Sequence, residues 1–186
     1  MKALYSVIFY LDRKTIQLLN AQKINLRQLI GSFASSNSIA HITIAEFSAT
    51  PEEINYLIQR LNTFVKSQEK LNALFDSLSC SSYSKCAVYL PATDVESKIH
   101  DITKAVRKRI KTEKSDICTP HISLGRKLSE QQLKSAADNF SDVTFECEIG
   151  QIALRKYDPS IGQFTIEKQF TFGGNRSGGT QLSFWS

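Results

Sequence analysis

Apolar residues recur along this chain with two periods, one typical of strands and one typical of helices. Alternation, together with runs of β-branched and aromatic residues, predicts strands over residues 2–11, 39–47, 71–79, 85–90, 117–127, 143–157 and 163–172. Apolar positions three and four residues apart predict helices over residues 13–30, 51–69, 94–110 and 130–140. Because Gly150 interrupts the pattern of residues 143–157, that segment fits either one long strand or two shorter ones.

Short polar motifs mark where the helices begin. Thr50-Pro51-Glu52-Glu53 combines a threonine cap, a proline at the first helical position and a glutamate that completes a capping box. Residues 93–96 and 129–132 have the same type of box, and Asp12 is the predicted cap of the first helix. Asn25 weakens the middle of that first helix, which predicts a break there.

The order of these elements repeats along the chain. A helix precedes each of the strands 39–47 and 117–127, a capped helix follows each strand, and two more strands follow that helix. Two related halves explain this order. Crossover helices combined with closing strand pairs predict an α+β fold with mostly antiparallel sheets. We therefore expect residues 1–186 to form a single domain of two intertwined lobes, with a flexible tail at residues 174–186.

The two repeated strands contain the same short motif, His-Ile-Thr-Ile in the first half and His-Ile-Ser-Leu in the second. Their histidines are two of only three in the chain. Because residues two apart point to the same face of a strand, His41 lies beside Thr43, and His121 lies beside Ser123. Two imidazoles, each with a neighbouring hydroxyl, suit acid–base chemistry on an oxyanion. The third histidine, His100, lies on a helix without a motif and is predicted to be a surface residue.

Paired His-x-(Thr/Ser)-x motifs at this separation, in a basic chain of this length, resemble the two-histidine (2H) phosphoesterase family. The closer resemblance is to its 2'-5' RNA ligase / 2',3'-cyclic phosphodiesterase branch, and nearly the whole chain fits that layout. The resemblance implies a bilobal fold, in which two pseudo-symmetric, mostly antiparallel sheets face each other across a central cleft with helices on the outside. It also implies that the two motif histidines meet in this cleft.

Histidine titrates near neutral pH, so one imidazole can take a proton from a nucleophile while another donates a proton to the leaving oxygen. His41 and His121 are predicted to be this catalytic pair, and either one fits the role of base. Thr43 and Ser123 are predicted to stabilise the non-bridging oxygens by hydrogen bonds. The scheme needs no cofactor or metal ion, and the residues around the motifs show no metal-ligand spacing.

Arg126 is a candidate substrate-binding residue, because its guanidinium offers a cationic fork to phosphate oxygens. The resemblance supports this role, since this branch often carries an arginine at this offset. Strict alternation places Arg126 on the face opposite His121, so the role requires the strand to end or bulge near Gly125. The first half has Glu46 at the matching offset, which makes the two halves unequal there.

A net charge of +5 and a pI of about 9.0 favour phosphate-bearing partners. The basic helix face from Lys98 to Lys114 is interpreted as a solvated surface rather than an RNA track. Aromatic residues that could stack on a base are Tyr10, Phe47, Tyr83 and Tyr157, although packing explains each of them more simply.

The cysteines at positions 80, 86, 118 and 147 lie in strand-like segments and are predicted to be buried free thiols. No segment approaches the roughly 20 apolar residues that a membrane-spanning helix needs. The N-terminus lacks the cleavage site of a signal peptide. We expect a cytoplasmic monomer that does not bind membranes.

The sequence therefore predicts a metal-independent phosphodiesterase acting on RNA or nucleotides that end in a 2',3'-cyclic phosphate. By the resemblance, the bond to the 3' oxygen breaks and a 2'-phosphate remains. Two alternatives stay open. The same site can work as a 2'-5' RNA ligase or on a 2'-5' linkage, or the chain can be a non-catalytic module that binds RNA ends.

Overall fold

A computed structural model describes residues 1–110 and 119–174. The strands are β1 (Ala3–Leu11), β2 (His41–Ala49), β3 (Leu71–Ser81), β4 (Cys86–Pro91), β5 (Ile122–Arg126), β6 (Phe145–Asp158) and β7 (Gln163–Thr171). The helices are α1 (Arg13–Ile30), α2 (Pro51–Val65), α3 (Thr93–Ile110) and α4 (Glu130–Phe140). All but the first residue of the predicted flexible tail lies outside the described residues, as does Cys118. None of the helices described is long and apolar enough to cross a membrane.

The strands form one antiparallel sheet in the order β1-β2-β5-β4-β3-β6-β7, with an additional pairing between β1 and β6. Strand β6 pairs with β1 along one edge. Along its other edge it pairs first with β3, up to Ile149, and then with β7 from Gln151 onward. The sheet therefore closes on itself through β1, β2, β5, β4, β3 and β6.

The closed sheet consists of two halves that meet at a narrow junction. Strands β2 and β5 are joined through one registered pair, Ile42 with Ile122. The second connection is β6, which contributes residues to both halves. The predicted α+β fold with antiparallel sheets is confirmed, and these two connections link the expected pair of sheets into one.

The motif strands present one face to a shared hydrophobic core. Ile42 and Ile122 are 1% and 0% exposed, and they belong to the same buried cluster as Leu61 of α2 and Ile99 of α3. Because alternate residues point to opposite faces, burial of the isoleucines turns the histidine that precedes each of them towards the other face.

The helix starts largely follow the predicted caps. The Asp12 carboxylate accepts a hydrogen bond from the Thr15 backbone N–H at 2.9 Å. Thr50 and Ser129 each form a complete capping box. The capping box predicted at residues 93–96 is wrong. The Ala92 carbonyl accepts the first helical hydrogen bonds, and Thr93 already lies inside α3.

The structure shows that both α1 and β6 are continuous. The break predicted near Asn25 is wrong, because α1 is continuous, and burial of Leu19 and Leu26 outweighs the propensity cost of a few tenths of a kcal/mol. Strand β6 is one strand, and Gly150 lies where its outer edge passes from β3 to β7.

The cysteines are only partly as predicted. Cys80, Cys86 and Cys147 are free thiols in β3, β4 and β6. Cys147 is buried, but Cys80 and Cys86 are only partly buried, so that part of the prediction is wrong.

Candidate active site

The β2–β5 junction brings the two motifs together. In an antiparallel pair, the match of Ile42 with Ile122 places His41 opposite Ser123 and Thr43 opposite His121. The histidines therefore lie diagonally across the junction, each facing the hydroxyl residue of the other motif. All four side chains line one pocket.

Both imidazoles are oriented by the same local hydrogen bond. Nδ1 of His41 lies 2.6 Å from the carbonyl oxygen of Ile39, and Nδ1 of His121 lies 2.8 Å from that of Thr119. A carbonyl oxygen only accepts, so each Nδ1 carries a proton. In a neutral imidazole, Nε2 is then the atom that accepts protons, and the two halves repeat this arrangement.

Each motif strand contains one extra residue three positions after its histidine. Against β1, strand β2 has Ile44 in excess, and against β4, strand β5 has Leu124 in excess. These are β-bulges, which shift the alternation of the strand that carries them. The carbonyl of Ile44 accepts a hydrogen bond from Nε of Arg107 in α3 at 2.7 Å, which stabilises the first bulge.

The bulges decide which charged residues reach the site. Because of the extra Leu124, Arg126 lies on the same side as Ser123 and lines the pocket of the histidines. The irregularity that its predicted role requires is therefore present. The matching bulge in β2 turns Glu46 into a groove next to the pocket. The two halves thus contribute opposite charges from equivalent positions.

Lys23 of α1 is a pocket residue that we did not predict. It is 3% exposed, and its Nζ donates hydrogen bonds to the carbonyls of Ser38 at 2.7 Å and Ser35 at 3.3 Å. Burial, with a smaller contribution from the charge of Arg126, lowers the pKa of Lys23 to about 8. Its signal in the sequence was a lysine on the apolar face of α1, in line with Leu19 and Leu26.

Arg155 of β6 is the second residue that sequence reasoning missed. It is 8% exposed, and its Nη2 lies 3.0 Å from Oγ of Ser6 and 3.2 Å from Nε2 of His41. Burial outweighs the nearby carboxylate of Glu46 and lowers the pKa of Arg155 to about 10. Nothing in the sequence distinguishes Arg155 from its exposed neighbour Lys156.

His41 lies in a strongly cationic environment. Burial is the largest cause that lowers its pKa, to about 3, and the charges of Arg155, Lys23 and Arg126 act in the same direction. The hydrogen bond from Nδ1 to the Ile39 carbonyl raises the pKa of His41, but by less than burial and the three cations lower it. His41 is therefore a neutral imidazole at neutral pH, beside positive charges suited to an anionic ligand.

An anion in this pocket is expected to raise the pKa of His41, because it offsets the three cations. Nitrogen-15 NMR of the imidazoles should show His41 neutral, with its proton on Nδ1, down to at least pH 5. Saturating inorganic phosphate should move its titration upward. Unchanged titration with phosphate bound would place the anion elsewhere, and His41→Asn identifies the resonance.

A groove extends from the pocket over the first half of the sheet. His41, Thr43 and Arg126 line both, and the groove continues along the β6–β7 hairpin and the segment before β2. Its aromatic lining consists of Tyr10, Phe33, Tyr157 and Phe164. Partly buried rings beside a phosphate-sized cationic pocket form a surface on which a base can stack.

The structure separates the predicted aromatic candidates. Tyr10 and Tyr157 line the groove. Phe47 instead packs on Tyr5, with ring centroids 6.2 Å apart, and Tyr83 is fully exposed on the β3–β4 turn.

The remaining candidates lie away from the pocket. His100 is partly buried on α3, with Nε2 3.5 Å from a carboxylate oxygen of Glu96. Two residues of the basic α3 face, which was interpreted as a solvated surface, contact the rest of the protein. Arg107 donates a hydrogen bond to β2, and the guanidinium of Arg109 lies 4.2 Å from the Phe64 ring centroid. Residues 111–114 of that face lie outside the described residues. In the described parts of the chain, no three His, Cys, Asp or Glu side chains are grouped to hold a metal ion.

Comparisons with known proteins agree with this fold. A family model of the 2'-5' RNA ligase superfamily matches residues 20–160. E. coli LigT complexed with NADP+ has a similar fold, with a TM-score of 0.68 at 14% identity over 93% of this chain and 99% of that chain. LigT complexed with 3'-AMP gives 0.69 at 14% identity, over 92% and 99% of the two chains. TT0787 of Thermus thermophilus gives 0.62 at 14%, over 94% and 100%. The search of curated proteins found no match.

Proposed function

Because this chain belongs to the 2'-5' RNA ligase superfamily, we propose that it is a metal-independent phosphodiesterase that opens 2',3'-cyclic phosphates at the ends of RNA or nucleotides and leaves a 2'-phosphate. One observation carries the proposal. His41 and His121 lie diagonally across the β2–β5 junction in one pocket, each with its Nδ1 held by a carbonyl oxygen. This pair is suited to act on opposite sides of one phosphorus atom.

In-line displacement at phosphorus needs a base for the incoming water and an acid for the departing 3' oxygen. The imidazoles supply both groups without a metal ion. Hydroxyls of Thr43 and Ser123 are within the same pocket and donate to the non-bridging oxygens as negative charge develops there. Arg126 and Lys23 contribute the positive charge that the phosphate requires.

The groove is the proposed site for the nucleoside. LigT has been solved with 3'-AMP and with NADP+, and the aromatic lining here fits ligands that contain a base. Binding of the base along the groove places the ribose phosphate at the histidines. Substrates are therefore expected to be RNA ends or nucleotides rather than small phosphodiesters without a base.

Loss of a groove aromatic is expected to weaken binding more than catalysis. Tyr10→Leu or Tyr157→Leu should raise KM for a cyclic-phosphate dinucleotide by about 5- to 150-fold, because stacking of one base is worth roughly 1–3 kcal/mol. The value of kcat should change little. Steady-state kinetics measures this, with Tyr83→Leu, in the exposed β3–β4 turn, as the matched control. Equal KM values in all variants would show that the nucleoside does not bind in the groove.

A substrate panel tests the proposal against its alternatives. Purified protein is incubated, with EDTA, with an RNA ending in a 2',3'-cyclic phosphate, a 2'-5'-linked diribonucleotide and the 3'-5'-linked isomer, and products are separated by chromatography. Turnover of the cyclic end supports the proposal. Turnover of the 2'-5' linkage alone favours the second activity. Salt-dependent binding without turnover favours a module that only binds RNA ends.

A cytoplasmic monomer remains our expectation for the protein.

A further inference from the structure

We propose that Arg155 is a positioning residue that holds His41 as the neutral base of the reaction, so that the two motif histidines have fixed and unequal roles, with His121 as the acid. The role assignment rests on the proposed function. The contact between Arg155 and His41 does not, and it can be tested separately.

The hydrogen bonds around His41 permit one protonation state. A guanidinium has only donors, so Nη2 of Arg155, 3.2 Å from Nε2 of His41, requires an unprotonated Nε2. The Ile39 carbonyl, 2.6 Å from Nδ1, requires a proton on that atom. Only the neutral imidazole with its proton on Nδ1 satisfies both partners. A protonated Nε2 would set two hydrogen-bond donors and two positive charges against each other.

Arg155 is held in this position by the sheet itself. Ser6 of β1 lies in register between Glu46 of β2 and Arg155 of β6, so these three side chains form a row across the sheet. Oγ of Ser6, a fully buried residue, accepts from Nη2 at 3.0 Å. The ring of Phe164 covers the guanidinium, with 5.0 Å from Cζ to the ring centroid. The guanidinium therefore has little freedom to leave His41 unless a ligand attracts it.

The second half of the chain does not repeat this arrangement. The corresponding row there consists of Arg126 on β5, Cys86 on β4 and Ser81 on β3. The position that matches Arg155 is thus an uncharged serine, and the arginine of that half lies on the motif strand. The histidine motifs are equivalent, but among the described residues the β3 position that corresponds to Arg155 is occupied by Ser81, which carries no charge.

The charges that face His41 agree with the role of base. Arg155 acts from β6, Lys23 from α1 and Arg126 from β5, and each disfavours an imidazolium. Glu46 of β2 has the opposite charge, but it acts on Arg155. A general acid must be protonated before the reaction, and His41 is the worse candidate for that state.

In the proposed reaction, substrate binding frees Nε2 of His41 for the attacking water. The cyclic phosphate anion binds Nη2 of Arg155, and a water molecule takes the place of the guanidinium at Nε2 of His41. Nε2 accepts a proton from that water as its oxygen attacks phosphorus. The bond from phosphorus to the 3' oxygen breaks, and His121 donates its proton to that oxygen. Arg155 retains its charge throughout and gives or receives no proton.

The first test is the pH dependence of kcat/KM for the cyclic substrate, in the wild type, Arg155→Met and Arg155→Lys. Lys156→Met is the control, because Lys156 is the exposed neighbour on β6. We expect the acidic limb of the Met variant to move toward the ordinary imidazole range near pH 6.5. Its loss of activity should then be about 10-fold greater for each pH unit below that value, and lysine should partly restore the wild-type profile. A uniform loss at every pH would assign Arg155 a merely structural role and overturn the proposal.

Nitrogen-15 NMR of the His41 ring is the second readout and needs no turnover. Wild type should show only the Nδ1–H neutral form at pH 6, and Arg155→Met should show exchange with the other tautomer and the cation. An unchanged spectrum would overturn the proposal, and this test holds even if no enzyme activity is detected. If the Met variant does not fold, Arg155→Gln, which removes the charge and keeps an N–H donor, should still move the acidic limb.

A substrate with a nitrophenolate leaving group tests the two roles directly. Nitrophenolate departs without a proton, so loss of the acid should matter less than with a ribose leaving group. His121→Ala should therefore lose at least about 10-fold less activity on this ester than on the cyclic phosphate, whereas His41→Ala should lose similar amounts on both. The reverse pattern would make His41 the acid and contradict the proposal.

Discussion

Replacement of His41 or His121 with alanine is expected to lower kcat for cyclic-phosphate hydrolysis by about 100- to 10,000-fold, the usual range for loss of a general acid or base. Both side chains line one pocket, and each is oriented through Nδ1 by a backbone carbonyl. Because the pair acts on one transition state, the double variant should be little worse than the more damaged single variant. Single-turnover kinetics of the four proteins measures this.

The control for this experiment is His100→Ala. His100 lies on α3 beside Glu96 and does not line the pocket of the motif histidines. Its removal should leave kcat within about twofold of the wild type, because His100 lies outside the pocket and a substitution away from special structural features usually changes stability by only about 0.5 kcal/mol. Near wild-type activity in both motif variants would contradict the proposed mechanism, and a comparable loss in the control would indicate a general effect on folding.

Replacement of Arg126 with alanine is expected to cost about 100- to 1,000-fold in kcat, the range seen when one preorganised donor to a transition-state oxyanion is removed. The bulge at Leu124 turns the guanidinium into the pocket, where it can form two parallel hydrogen bonds to phosphate oxygens. Arg126→Lys retains the charge but not the planar fork, so it should recover only part of the loss.

Arg27→Ala is the matched control, because Arg27 is an exposed arginine near the end of α1 and lies outside the pocket. It should behave as the wild type in the same kinetic assay. If Arg126→Ala retained full activity while the histidine variants did not, the phosphate would have to be held by Lys23 and Arg155 instead.

The sequence was sufficient for the features that repeat. The duplicated motif led to His41 and His121, and period-two alternation placed Thr43 and Ser123 beside them; the structure brings all four side chains into one pocket. The need for a bulge before Arg126 could be deduced because strict alternation pointed its side chain the wrong way. Strand alternation and bulges involve only neighbouring residues, so they can be predicted without knowledge of which distant strands pair.

The features that depend on distant strands could not be predicted. Arg155 lies 114 residues from His41, and their contact follows from the pairing of β6 with β1, which no local pattern specifies. Closure of the sheet through β6 has the same origin. Lys23 was missed for a different reason, since its apolar surroundings on α1 were visible and a buried lysine there signals a polar partner.

The measurement that tests the central claim most directly is phosphorus-31 NMR of the product. The protein is incubated with a short RNA that carries a 2',3'-cyclic phosphate, in the presence of EDTA, and the phosphate isomer is identified. We predict a 2'-phosphate, formed without added metal and absent with His41→Ala or His121→Ala. An unaltered cyclic phosphate, or conversion to a 3'-phosphate, would contradict the proposed reaction.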